Sequence, residues 1–193
     1  PYLLNFAPNS KKVAVGCLAP ADGVMGLKVQ ILDTTKDKPL SLVELPSCQG
    51  YRLHWFSDST LFVMTDQFCV LLDDKGKEKT RYSYNGRTLV TADVSGKNAA
   101  LLFKDGGVVL LDEKLNPTAE LQSPKTTKVV LSGKQAYTIQ ENQVQCFATD
   151  GKLVGSQFFD HEVSTLVQAE SMMVFYGSTV DMLRLTEPEQ PEE

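Results

Sequence analysis

The sequence predicts an all-β fold of β-propeller type: about five repeats, each a four-stranded antiparallel blade, the last incomplete and the set part of a larger propeller. Three observations predict it. A motif of strand, tight polar turn and strand recurs, with Asp58, Gly96, Gly133 and Glu170 at equivalent turn positions 38, 37 and 37 residues apart. Ser-Gly, Asn-Gly and Asp-Gly steps punctuate the chain at short intervals, as hairpins require. No capped window carries apolar residues at i, i+3, i+4 and i+7, the spacing a helix needs.

The elements follow in order. The first copy of the motif runs Phe6-Ala7-Pro8-Asn9-Ser10-Lys11-Lys12-Val13, 49 residues before the second. The excess is assigned to an inserted hairpin loop over 19–26, rich in turn formers. A third strand then follows in each unit: Val29–Leu32, Phe68–Leu72, Val108–Leu111 and Val144–Phe147. Asp or Asp-Gly closes most of these, at Asp33, Asp73 to Gly76, Asp112 and Asp150-Gly151. A more polar fourth segment comes next, as in Glu78–Tyr84 and Lys152–Phe158. The gradient is physical. Continuous apolar runs such as Ala99–Phe103 suit strands covered on both faces, whereas polar or alternating runs suit an exposed outer strand.

These units place one propeller-like domain over 1–187, with blades at about 1–49, 50–86, 87–124, 125–162 and 163–187. The last has three strands and lacks an outer one. Residues 188–193 are expected to form an acidic, disordered tail. The N-terminal strand is needed in its own first blade, so the edges at the two ends are expected to stay open, for a larger ring or for self-association, with a closed five-blade ring as the alternative reading.

With a net charge of −5 and a pI near 5.1, the chain lacks the basic stripe that nucleic acid would need. No apolar run approaches the roughly 20 residues that span a bilayer as a helix. The four cysteines, Cys17, Cys48, Cys69 and Cys146, fit neither a zinc pattern nor a dense disulfide framework. They read as small hydrophobes, mostly inside strands.

No catalytic, cofactor-binding or metal motif emerges. The single tryptophan, Trp55, reads as packing between sheets. His161 lies among Asp160, Glu162 and Ser164, but adjacency in sequence does not bring a triad together in space. Asp73-Asp74-Lys75-Gly76 and Asp22-Gly23 look like calcium-loop fragments yet are explained by turn chemistry. Gly106-Gly107 is a hairpin turn. Four aromatics remain as candidate partner anchors: Tyr82 and Tyr84 on an outer strand, and Phe158 and Phe159 in the equivalent segment of the fourth unit. Burial against a neighbouring blade is the competing reading for all four.

The pattern of Pro1-Tyr2 through Val15, Asp66-Gln67-Phe68, Asp74–Glu78 before Tyr82-Ser83-Tyr84, and Val144–Gly151 resembles the C-terminal half of an uncharacterised family of propeller-like proteins from clostridia-type bacteria. The resemblance implies a propeller of quinoprotein-like or WD40-like repeat architecture on the extracytoplasmic side of the membrane. Its membrane anchor would lie outside this chain, and no activity is assigned to it. The expected function is a non-catalytic binding or scaffold module with a protein or cell-envelope partner. The alternatives are a quinoprotein-like or hydrolase propeller whose site lies mainly outside this chain, and a cytoplasmic adaptor.

Overall fold

A computed structural model describes residues 1–21, 23–36 and 38–186, and in these residues every regular element is a β-strand. Asp22 of the calcium-like fragment and the acidic tail lie outside them. The chain divides into two compact units, Pro1–Thr88 with Glu113–Leu115, and Leu89–Asp112 with Asn116–Glu193.

The first unit holds two four-stranded antiparallel sheets. The first sheet is β1 (Leu3–Phe6), β2 (Lys12–Ala21), β3 (Val24–Asp33) and β4 (Pro39–Pro46), in that spatial order. The second is β5 (Gly50–Ser57), β6 (Thr60–Thr65), β7 (Phe68–Asp73) and β8 (Glu78–Ser83). The inserted loop expected over 19–26 is replaced on both sides by strand: β2 and β3 pair without a break from Lys12↔Asp33 to Ala21↔Val24. The insertion extends the ladder because pairing satisfies backbone groups that a loop would leave to water.

The second unit holds three sheets. The third sheet is β9 (Leu89–Ser95), β10 (Asn98–Phe103), β11 (Gly107–Leu111) and β12 (Pro117–Gln122). The fourth is β13 (Lys128–Ser132), β14 (Gln135–Gln140), β15 (Gln143–Ala148) and β16 (Leu153–Phe158). The fifth has three strands, β17 (Val163–Gln168), β18 (Met172–Tyr176) and β19 (Thr179–Met182).

One device repeats at the turn from third to fourth strand. The register slips at Ile31/Leu32, Leu71/Leu72, Leu110/Leu111 and Cys146/Phe147, a β-bulge in each four-stranded sheet. An aspartate then folds onto the turn: Asp73 Oδ1 accepts from the N–H groups of Lys75 and Lys77, Asp112 Oδ1 from Asn116, and Asp150 Oδ1 from Lys152. In the first sheet Asp33 Oδ1 accepts from the Thr35 amide and hydroxyl, which with Lys36 holds its carboxyl down at about 2. Bulge and aspartate together end the buried third strand and send the chain to the rim.

The stretch after β19 carries no such turn, and it leaves its own sheet. Thr186 forms an antiparallel bridge with Ser156 of β16, with N···O distances of 3.0 and 2.9 Å. Leu183 and Leu185 pack on the core between the fourth and fifth sheets. Gly155 permits this approach, since a Cβ there would stand 2.7 Å from the Thr186 carbonyl oxygen.

Sheets pack face to face within each unit. In the first, Ala14, Leu27, Val29 and Ile31 from one sheet meet Leu53, Trp55, Leu61, Val63, Val70 and Leu72 from the next. In the second, Ala100, Leu102, Val108 and Leu110 meet Val129, Leu131 and Ala136, while Tyr137, Ile139, Val144 and Cys146 meet Leu166, Met172 and Val174. First strands lie beside first strands: β1 by β5, β9 by β13, and β13 by β17. A polar side chain fastens two of these junctions in the same way. Asn5 Oδ1 accepts from the Trp55 amide at 3.1 Å, and Asp93 Oδ2 accepts from the Leu131 amide at 2.9 Å.

Two predictions follow from these contacts. Asp93→Ala should lower stability by about 1–3 kcal/mol, the cost of stranding a partly buried amide, and Asp93→Asn, which keeps an acceptor, should recover most of it in urea denaturation. Gly106 adopts φ +83°, with Pro124 Cα 2.5 Å from where a Cβ would sit, whereas Gly96 at φ +58° faces open space. Gly106→Ala should therefore cost clearly more than Gly96→Ala, for which about 1 kcal/mol is expected from positive φ alone; equal thermal shifts would contradict this.

Candidate functional site

The four candidate aromatics separate into two buried and two accessible groups. Tyr84, just past β8, is 1 % exposed, with its hydroxyl 3.1 Å from Cys69 Sγ. Phe159, just past β16, is also buried and packs on Tyr176 with ring centroids 4.9 Å apart. Neither is available to a partner: each closes a core at the end of its outer strand. Tyr82 is half-buried, its ring 6.2 Å from that of Tyr84. Phe158 is the exposed member, at 69 %. It ends β16 opposite Gln143, and the strand's alternation turns it away from its neighbour Phe159.

The cysteines are free, three buried and Cys17 half-buried. Burial pushes Cys69 up to about 12 and Cys146 up to about 11, and it raises Cys48. A nucleophilic cysteine needs the opposite shift, so these three are packing residues held as thiols. Burial likewise raises the Tyr84 phenol. His161 is exposed, and the Ser164 hydroxyl donates to the Phe175 carbonyl at 3.0 Å, which commits it to its own sheet. The oxygens of the Asp73–Gly76 turn are engaged as well: Asp73 holds the turn, and Asp74 takes the Lys12 ammonium at 2.6 Å, which lowers its carboxyl. Among the described residues, no three His, Cys, Asp or Glu side chains gather as a metal site would require. Trp55 lies in the core between the first and second sheets, and its indole N–H donates to the Asn5 carbonyl at 3.1 Å.

A surface that was not singled out from the sequence is more extensive than the aromatics. The first sheet turns Leu3, Ala14, Leu27, Val29, Ile31 and Val43 toward the second sheet. Its opposite face carries Leu4, Phe6, Leu40 and Leu42, exposed by 38–61 %, around half-buried Val15, Cys17 and Leu32. On the fifth sheet, Leu166 and Val174 face the fourth, while Val167, Met173, Phe175, Val180 and Met182 form the other face. Val167, Val180 and Met182 are 45–51 % exposed. Cross-strand pairs Val167↔Met173, Met173↔Met182 and Phe175↔Val180 knit this second patch together.

No family model matches the chain, and no curated protein does. Solved structures share its fold. The computationally designed Ika8 protein matches with a TM-score of 0.65 at 14 % identity over 90 % of this chain and 54 % of its own. A eukaryotic initiation factor matches with a TM-score of 0.68 at 10 % identity over 91 % of this chain and 48 % of its own. The chain thus spans about half the length of each. At these identities the likeness concerns the fold alone.

Raising the pH tests the protonation of the buried Cys69 thiol. Cys69 stays protonated in the folded chain to about 12, against an ordinary 9.0. Its stabilising effect is therefore complete below pH 9 and declines as pH rises toward 12, because above pH 9 the unfolded chain releases a proton that the folded chain keeps. The slope approaches about 1.4 kcal/mol per pH unit for such a group. Denaturant melts at pH 8, 9 and 10 should show stability falling above pH 9, with a shallower fall in Cys69→Ser.

Proposed function

We propose that this chain is an arc of β-propeller blades serving as a non-catalytic binding or scaffold module at a bacterial cell envelope. One observation carries the architectural part: successive sheets in each unit stack face to face with first strands side by side and the polar fourth strand farthest along the sheet order. Blades about a shared axis would stack in this way, and this supports the reading. The envelope location and the membrane anchor outside this chain rest on the resemblance to the clostridial propeller-like family.

The binding role draws on where the side chains with chemical potential are spent. Three thiols are held protonated, Ser164 is bonded to backbone, Asp73 holds its own turn, and Asp74 pairs with Lys12. What the chain offers outward is apolar surface and Phe158 on a rim strand. An exposed aromatic on a rigid strand makes a good partner anchor, because little conformational freedom is lost when it docks.

The experiment is capture of solubilised envelope proteins on immobilised chain, with bound proteins identified and their affinities measured by titration. Phe158→Asp should weaken the captured partner by about tenfold or more, the loss typical of an anchor residue. Val90→Asp, at an exposed position in the third sheet, should leave it unchanged. Substrate turnover by the chain that is abolished by a point substitution in a loop, such as His161→Ala, would overturn the proposal.

A further inference from the structure

We infer that the uncovered faces of the first and fifth sheets are the two halves of one more sheet-to-sheet interface, and that their occupant is a second copy of this chain joined head to tail. The inference rests on the propeller reading for its geometry.

Register supplies the argument. In the second sheet, Leu53 pairs with Val63 and Trp55 with Leu61, and Leu61 and Val63 pair with Leu72 and Val70. In the first sheet, Leu4 pairs with Val15 and Phe6 with Val13, and Val13 and Val15 pair with Leu32 and Gln30. The two sets occupy the same places in the repeat. Leu53 and Trp55 are about 5 % exposed because the first sheet lies on them, whereas Leu4 and Phe6 are 61 % and 54 % exposed.

The fifth sheet shows the converse. In the fourth sheet, Val130 pairs with Tyr137, Tyr137 with Cys146, and Ile139 with Val144. Their counterparts are Val167 with Met173, Met173 with Met182, and Phe175 with Val180. The fifth sheet buries the first set, whereas among the described residues of its own unit Val167, Val180 and Met182 of the second set stay 45–51 % exposed.

One free face is therefore of the kind that receives a sheet, and the other is of the kind that covers one. The structure already displays the occupant such faces take, a sheet of the same repeat. A second copy brings both kinds. Lys28 and Glu44 on the first face neutralise each other at 2.7 Å, which leaves no surplus charge to select a charged partner. The designed protein and the initiation factor described above are roughly 1.7 and 1.9 times this chain's length, from the shares of each chain covered, so two copies hold about as much chain as one of them. Two such faces, each about 20 Å by 15 Å from strand rise and spacing, bring together about 300 Å² apiece, below the standard specific interface and in the range of weak, reversible contacts. Micromolar association is the expectation.

The contact is heterologous, so its members can be separated. Sedimentation velocity from about 1 to about 200 µM should show mass rising with concentration. Phe6→Asp and Val180→Asp should each be monomeric, since either one spoils the contact in every copy. An equimolar mixture of the two should form a dimer and nothing larger, because one intact pair of faces remains. Far-ultraviolet circular dichroism and Trp55 fluorescence check that both fold, and Leu42→Asp replaces Phe6→Asp if it does not. A wild-type chain that is monomeric throughout would overturn the inference, as would a Val180→Asp variant that still associates or a mixture that stays monomeric. Partner capture that persists in Phe6→Asp and fails in Phe158→Asp would leave the proposed binding role standing whichever way the sedimentation result falls.

Discussion

A sheet with apolar residues on both faces has to be covered twice, and that constraint organises this molecule. In the second and third sheets the central strands are uninterrupted apolar runs: Leu61–Met64, Ala99–Phe103 and Val108–Leu111 are buried almost completely. An amphipathic sheet could rest one face on water. These sheets cannot, at a cost of about 25 cal/mol for each Å² of apolar area left wet. Within each unit, stacking sheet on sheet covers the faces that meet, and the polar outer strands β8 and β12 carry alternating exposed positions. The same constraint makes the terminal faces of any finite stack conspicuous.

The links between sheets are of two kinds with different jobs. Leucine, valine and alanine faces supply most of the burial and tolerate sliding, because apolar contact has little direction. Asn5 to Trp55 and Asp93 to Leu131 are directional bonds to a neighbouring strand's backbone. They fix how far one first strand stands along the next. Two different side chains, a carboxamide and a carboxylate, do this with the same acceptor oxygen, which is all that an unpaired amide requires.

Much of this architecture was legible in the sequence because the repeat forces the same local chemistry again and again. Turn residues at 37- to 38-residue steps and aspartates after the third strands announced where strands begin and end. What sequence could not show was phase at the strand ends. Phe158 and Phe159 are identical in chemistry and adjacent, so which one points inward depends on the register of β16 after the bulge at Cys146/Phe147. Tyr84 was equally ambiguous, since its burial depends on Cys69 lying beneath its hydroxyl. Residues 19–26 read as a loop from their Pro and Gly content, yet pairing between β2 and β3 overrode local preference. The free apolar faces were encoded in the same alternation as the buried ones. No residue type distinguishes Leu4 from Leu53; position in the stack does.

The bridge between Thr186 and Ser156 has a mechanical consequence. The last described residues are fastened to the fourth sheet instead of the fifth, through two hydrogen bonds at the rim and the close approach that Gly155 allows. Tension entering from the C-terminal side is therefore borne first by β16. The fifth sheet is bypassed, slack between its neighbour and the load. With one bridge and the Arg184 amide's bond to Gln157 Oε1 to break in sequence, the clasp would open by peeling at low force, while the stacked faces behind it, which must be sheared as a block, would hold.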